Sequence, residues 1–298
     1  MSLIRIGTRG SQLALWQANH IADRLRAVRE GTEVELVVIK TTGDKITDRP
    51  LALVGGKGLF VKEIEEALLA DGVDLAVHSL KDMPTEQPEG LELSCYPGRA
   101  EPFDALCARE PIRSVADLPQ NARIGTGSLR RQVQLQAVRP DLEMVGIRGN
   151  VPTRLKKRFE AENVDAVVLA AAGLRRLGLW EDGFLELTPP DVLPAPAQGI
   201  LALETRLGDA RLKPYLSALD DFDARLAALA ERGALRAIGG DCHTPFAAFA
   251  TRDGDYMTVT ARLYAEDGKM QEARQSGPVE DGAAADELGT EVGAMLVE

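Results

Sequence analysis

A chain of 298 residues exceeds what one ordinary hydrophobic core supports, so two or three domains are expected. Its 45% hydrophobic and 27% charged composition is that of a globular protein and excludes disorder, and no apolar run reaches the roughly 18 residues a membrane span needs. A net charge of −11 argues against nucleic acid as partner, while three cysteines without CxxC spacing exclude a disulfide framework and give no reason to expect a metal.

The chain opens on Met1-Ser2-Leu3-Ile4 with no apolar leader, and a cytoplasmic location is the expectation. Leu3–Gly7 reads as a short strand, and Ser11 to Glu30 as a helix with Leu13, Trp16, Leu25 and Val28 broadly on one face. Val34–Ile39 is a near-continuous apolar run, the pattern of a strand buried on both faces. Lys40 to Gly58 is polar and Gly-rich, too long for a simple connection and so a candidate functional loop. Helix Leu59–Ala70 and strand Asp74–Val77 follow. A second series begins near Asp104: Ile124-Gly125-Thr126-Gly127-Ser128 leads into helix Leu129–Val138. Strand Glu143–Ile147, helix Val151–Glu160, strand Ala166–Leu169 and a short helix to Leu177 come next.

The two series echo one another. Ile6-Gly7-Thr8 matches Ile124-Gly125-Thr126, and Val73-Asp74-Leu75-Ala76-Val77 matches Val164-Asp165-Ala166-Val167-Val168. Two similar α/β domains with mainly parallel sheets, facing across a cleft, are the expectation. Prolines 189, 190, 194 and 196 mark a boundary, and beyond Asp220 the pattern changes. A helix over Asp220–Arg232 precedes Gly239-Gly240-Asp241-Cys242. Strands Phe246–Thr251 and Met257–Tyr264 are joined at Asp253-Gly254-Asp255, and a helix over Ala283–Val297 closes a smaller α+β domain.

Chemistry concentrates at the predicted strand ends. Only nine of the 35 basic residues are lysine, leaving 26 arginines, whose planar fork suits carboxylate and phosphate. Arg130, Arg131, Arg148, Arg154 and Arg176 fall at the carboxyl-end rim of one predicted sheet. At roughly 1.5–3 kcal/mol per charge-assisted bond, several together select a polyanionic small ligand. Nucleic acid would also satisfy them, but the chain is only 4% aromatic and offers few stacking platforms. The turns before Ser11 and Ser128 put backbone N–H groups at helix starts, as anion sites or as plain caps. Gly125–Arg130 lacks the third glycine of a dinucleotide fingerprint, and Lys57 is not followed by the Ser or Thr of a P-loop. His78-Ser79-Leu80-Lys81-Asp82 ends a strand at a similar rim, where Asp82 is a candidate acid/base and His78 fits a structural role equally well. Cys242, after two glycines in a loop, is a candidate for covalent attachment.

These segments together resemble the porphobilinogen deaminase family. The likeness is carried by Arg9 with Ser11, Lys40-Thr41-Thr42-Gly43-Asp44, Gly58-Leu59-Phe60-Val61-Lys62-Glu63 and His78-Ser79-Leu80-Lys81-Asp82. It continues through Ser128-Leu129-Arg130-Arg131-Gln132, Arg148-Gly149-Asn150-Val151, Thr153-Arg154-Leu155 and Gln198-Gly199 to the Cys242 loop. The resemblance implies two periplasmic-binding-protein-like α/β domains (1–97 with 198–215, and 98–197) and a C-terminal α+β domain (216–298). It implies a monomeric cytoplasmic transferase of porphyrin biosynthesis that joins four porphobilinogens head to tail into hydroxymethylbilane, with loss of ammonia at each step. A dipyrromethane cofactor would be held to Cys242 by a thioether.

On the family pattern, Lys81, Asp82, Thr126, Ser128, Arg130, Arg131 and Arg154 hold the cofactor. Arg9, Ser11, Phe60, Arg148, Arg154, Arg176 and Gln198 meet the substrate, Lys57 belongs to a lid, and Asp82 is catalytic. Departures are Gly127 where Ser is frequent, Gln12 for a common Pro, and Asp241 and His243 around Cys242. The rival classes are a non-catalytic anion receptor of the periplasmic architecture, which needs neither Asp82 nor Cys242, and a nucleic-acid-binding regulator.

Overall fold

The computed structural model describes residues 3–45, 58–160, 163–241, 244–265 and 268–297. Lys57, Cys242, His243 and most of the Lys40–Gly58 stretch therefore lie outside the described residues. Contacts group the chain into two compact units, Met1–Arg99 with Ile200–Arg225, and Ala100–Gly199 with Leu226–Glu298.

In the first unit, β1 (Leu3–Thr8), β2 (Glu33–Val38), β3 (Leu75–Ser79), β4 (Leu91–Cys95) and β10 (Leu201–Arg206) form one sheet in the order β2-β1-β3-β10-β4. Helices α1 (Gln12–Val28) and α7 (Lys213–Leu219) contribute to the core on one face. The brief α2 (Thr42–Lys45) precedes α3 (Lys62–Leu69), which helps form the second core.

The second unit repeats the plan. Strands β5 (Asp104–Ala108), β6 (Arg123–Gly125), β7 (Glu143–Val145), β8 (Ala166–Ala170) and β9 (Leu185–Leu187) take the order β7-β6-β8-β5-β9. Helix α4 (Leu129–Val138) serves one core, α5 (Val151–Glu160) and α6 (Ala171–Arg176) the other. The same unit includes the antiparallel sheet β11 (Phe246–Asp253), β12 (Tyr256–Tyr264) and β13 (Met270–Pro278), together with α8 (Phe222–Ala237), whose first residues belong to the first unit, and α9 (Gly282–Ala294).

The sequence echo is realised bond by bond. The Asp74 carboxylate accepts from Arg5 N–H at 2.8 Å while Asp74 N–H donates to the Arg5 carbonyl. Asp165 and Arg123 do the same, at 2.7 Å for the carboxylate bond. Gly7 and Gly125 are matched too: an added Cβ would come within 3.1 Å of Val73 in one sheet and of Ile147 and Val167 in the other.

Two expectations need correction. The sheets are mixed: β10 runs antiparallel to both β3 and β4, and β5 antiparallel to β8 and β9. Parallel pairing follows from consecutive strand–helix–strand units, whereas β5 and β10 enter their sheets from outside such a unit. Val34–Ile39 is also not buried on both faces. Strand β2 is a sheet edge in which none of the six residues is fully buried. Its apolar side chains pack against the margins of both cores, with Val34 and Leu36 in one and Val37 in the other.

Candidate active site

Each unit gathers its own set of polar groups. In the first, Ser11 caps α1 by accepting from Ala14 N–H at 3.2 Å, so its hydroxyl serves the helix start. Arg9, two residues earlier, bonds Asp44 through Nη2 and through Nε at 3.2 Å, and its guanidinium lies 4.1 Å from the centre of the Phe60 ring. Burial opposes ionisation of Asp44, but hydrogen bonds from Arg9 and Thr41 outweigh it and hold the carboxyl below its usual range. Phe60 packs where Gly43 leaves room, since a Cβ at 43 would meet its ring at 2.3 Å. Thr42 N–H donates to Glu63 at 2.7 Å, and the two motifs are tied together.

Strand β3 ends in the 3-10 turn Leu80–Asp82. Leu80 is buried and its N–H donates to the carbonyl of Ile200, the residue before β10, at 3.0 Å, which ties the turn to the start of that strand. Lys81 is half-buried and Asp82 exposed. His78, one turn earlier, is buried and bonds Glu204 at 3.0 Å, so the structural role for this histidine is the one observed. Glu65 of α3 is also buried. Desolvation first, and then the charge of Glu204, push its carboxyl up to about 7.

The second unit assembles the arginines. Thr126 is buried at the end of β6, and its hydroxyl accepts from Ser128 N–H at 3.2 Å. Ser128 is the N-cap of α4 by position but makes no side-chain cap bond, unlike Ser11. Arg130 and Arg131 open that helix with only 4% and 7% of their surface exposed. Arg130 donates to Asp104 Oδ2 at 2.7 Å and to the Leu193 carbonyl at 2.6 Å. Arg131 donates to Asp104 Oδ1 at 2.6 Å and to the Val168 carbonyl at 3.0 Å. Gln198 Nε2 donates to the same Asp104 at 2.9 Å. Burial draws the Arg130 pKa down, opposed by Asp104 and reinforced by the like charge of Arg131.

Arg148 and Arg154 flank the start of α5 and are half-buried. Gly149 between them has φ of +118°, and a Cβ there would collide with Thr153 at 2.8 Å, so the Arg-Gly-Asn turn requires glycine. Asn150 then accepts from Thr153 N–H at 2.9 Å and starts the helix. Arg176 ends α6 and donates to the Gly199 carbonyl at 2.8 Å; burial alone pushes its pKa down to about 10. Asp241 N–H donates to Thr244 Oγ1 at 2.9 Å.

Asp104, Asp44 and Glu231 carry no site role in the sequence pattern, although Asp44 closes one of its motifs and Asp104 opens the second series. A pair of adjacent arginines entering a buried helix start was the available signal that an acid must lie opposite.

Known proteins supply the remaining observation. Residues 4–214 match the family described as porphobilinogen deaminase, dipyromethane cofactor binding domain, and residues 225–298 match the porphobilinogen deaminase C-terminal domain. The chain belongs to the porphobilinogen deaminase family. It is 52% identical to the porphobilinogen deaminase of Geotalea uraniireducens (strain Rf4) over 286 residues, which cover 94% of this chain and 88% of that protein. That of Trichlorobacter lovleyi is also 52% identical, over 99% of this chain and 93% of the relative. Among solved structures, the Bordetella pertussis BvgS periplasmic VFT2 domain aligns at 16% identity and a TM-score of 0.42, covering 73% of this chain and 86% of that one, too distant to carry an argument.

As a porphobilinogen deaminase family member, the chain is a transferase of tetrapyrrole biosynthesis that works with a dipyrromethane cofactor. The residues present fit that group. Two buried guanidiniums share one carboxylate at Asp104, and Arg131 Nε is buried without an acceptor among the described residues. A pyrrole pair bearing acetate and propionate side chains supplies the negative charge this cluster lacks. Among the described residues no group of three or more potential metal ligands is assembled, and no helix is long and apolar enough to cross a membrane.

Proposed function

We propose that Asp82 is the catalytic carboxylate of a porphobilinogen-polymerising enzyme, that Cys242 carries the cofactor, and that the arginines of the second unit hold its carboxylates. The observation that carries this reading is the Arg130–Asp104–Arg131 cluster, which is buried yet one positive charge in excess. Burial of an unbalanced charge is costly, so the cluster is best accounted for by an anionic ligand that completes it. The choice of Cys242 is supported by the other two cysteines. Cys95 and Cys107 are buried, and desolvation pushes both thiols up to about 12, far from the thiolate form a nucleophile needs.

On this reading Lys81, Thr126, Ser128, Arg130, Arg131 and Arg154 face the cofactor, which when bound supplies the pyrrole carbon from which the product chain is extended. Arg9, Arg148, Arg154 and Arg176 meet the acetate and propionate of incoming porphobilinogen. Ser11, Phe60 and Gln198 stand behind them, capping α1, carrying the Arg9 guanidinium and bracing Asp104. Asp82 accepts a hydrogen bond from a pyrrole N–H and offsets the positive charge that ring acquires. That charge arises when the aminomethyl C–N bond breaks and nitrogen leaves with the electron pair, as ammonia once protonated. A C–C bond then forms at the freed carbon, and the attacking ring loses a proton. A division into domains 1–97 with 198–215, 98–197 and 216–298 belongs to the same proposal, as do a monomeric state, a cytoplasmic location and the lack of a nucleic-acid partner.

The test combines two measurements. Intact mass of the purified chain should show two pyrrole units, lost in Cys242→Ser; an unmodified mass in fully active protein would remove Cys242 from its role. Asp82 is exposed, so Asp82→Ala should fold normally and lose turnover; near-normal rates would remove Asp82 from the mechanism.

A further inference from the structure

We infer that Asp104 is the positioning residue for the cofactor-holding arginines, and that it is itself held by a brace running from the C-terminal α8. This rests on the reading that Arg130 and Arg131 bind cofactor carboxylates. Asp104 is the first residue of β5 and is 1% exposed. Its two oxygens are divided, Oδ2 to Arg130 and Oδ1 to Arg131, so one carboxylate sets the spacing of two guanidiniums. Each guanidinium has a second fixed point on a backbone carbonyl, Leu193 for Arg130 and Val168 for Arg131. Two bonds in fixed directions leave a planar guanidinium little freedom, and its remaining donors are presented in a set geometry.

The brace begins at Glu231, which is fully buried in α8 and accepts from Ala197 N–H at 2.6 Å and from Ala250 N–H at 2.8 Å. Ala197 has φ of +59°, a conformation that a non-glycine residue adopts only when its surroundings impose it. Gly199, two residues on, has φ of +89°, and a Cβ there would meet the Ala100 carbonyl oxygen at 2.4 Å. Gln198 between them is pinned, and its amide donates to the Pro102 carbonyl at 2.7 Å as well as to Asp104.

A purely structural ion triad is the competing account. A buried carboxylate with two guanidiniums leaves a charge uncompensated, and apolar residues in its place would be as stable or more so. The corresponding position of the first sheet shows the apolar solution. Asp104 is paired with Ala170 at the end of β8, and the strand residue paired with Ser79 at the end of β3 is Leu201. The same plan therefore folds with leucine there, and the acid serves the arginines.

The experiment uses the full chain as purified, with the cofactor-loaded fraction read by intact mass and folding by circular dichroism and thermal melting. Asp104→Asn should lower the loaded fraction about tenfold or more, and Asp104→Glu, which keeps the charge one methylene further out, should recover part of it. Among molecules that do load, KM for porphobilinogen should stay as in the parent. Arg130→Gln and Arg131→Gln are the controls and should also fail to load. If the controls lose cofactor while folded Asp104→Asn and Asp104→Glu load fully, the inference is overturned and the reading beneath it stands. Controls that load fully would overturn both. Should Asp104→Asn not fold, Asp104→Glu decides: full loading in a chain with lowered melting temperature marks a merely structural residue and overturns the inference.

Discussion

Replacing Glu65 by glutamine should make the protein progressively more stable than the parent as pH rises. Glu65 lies on α3 with 8% of its surface exposed, within the field of Glu204 and His78. Burial and the neighbouring carboxylate lift its pKa from 4.5 to about 7. A group whose folded pKa is raised binds its proton more tightly in the native state. Its contribution is therefore complete below the unfolded value and is lost as pH climbs through the folded value. At about 1.36 kcal/mol per pH unit the full climb corresponds to about 3 kcal/mol, and partial hydration of the site reduces this to about 2 kcal/mol. Urea unfolding at pH 5 and pH 8.5 measures it. The Glu65→Gln variant should gain about 2 kcal/mol on the parent between the two pH values, with equal denaturant slopes. A stability difference that is flat with pH, or that moves the other way, would refute the raising of the Glu65 pKa by burial and by the charge of Glu204.

Two further expectations concern the second unit. Gly289 lies where α9 crosses α8, and a Cβ would fall 1.9 Å from the Ala230 carbonyl oxygen, so Gly289→Ala should cost about 3 kcal/mol by forcing the helices apart. An unchanged melting temperature would contradict that crossing. Glu231→Gln leaves a single acceptor oxygen for two buried N–H groups and should cost about 2–3 kcal/mol in chemical denaturation, against a parent-like midpoint if the Ala197 and Ala250 contacts do not matter.

Where local chemistry determines structure, the sequence was readable. Helix α4 begins and ends where its periodicity placed it, with Ser128 extended at its N-cap and Leu135 packed inward. The echo around Asp74 and Asp165 proved to be a matched register, since both carboxylates accept from the same relative N–H. The strands that the sequence pattern does not reveal carry residues that look polar in one dimension. Asp104 opens β5 and Glu204 sits in β10, and an acid inside a buried strand is intelligible only with its distant partners in view. Strand β13 fully buries only one of its nine residues, too few to leave an alternation. The arginines were legible as a group, but their division of labour was not. Nothing in the spacing of Arg130 and Arg131 says that both turn inward to one acid 26 and 27 residues earlier.

The insertion of β10 between β3 and β4 also bears on how the chain is made. A ribosome delivers β1 to β4 within the first 95 residues, yet the strand that joins β3 to β4 begins at Leu201. Until it emerges, the inner strand β3 and the edge strand β4 both present unpaired N–H and C=O groups to whatever is nearby. The other five-stranded sheet has no such gap, since all its strands lie between Asp104 and Leu187. The later half of the α/β core can thus close its sheet while the earlier half still waits for the strand that links β3 to β4, and nascent chains stalled between residues 187 and 206 are where aggregation and chaperone binding should peak.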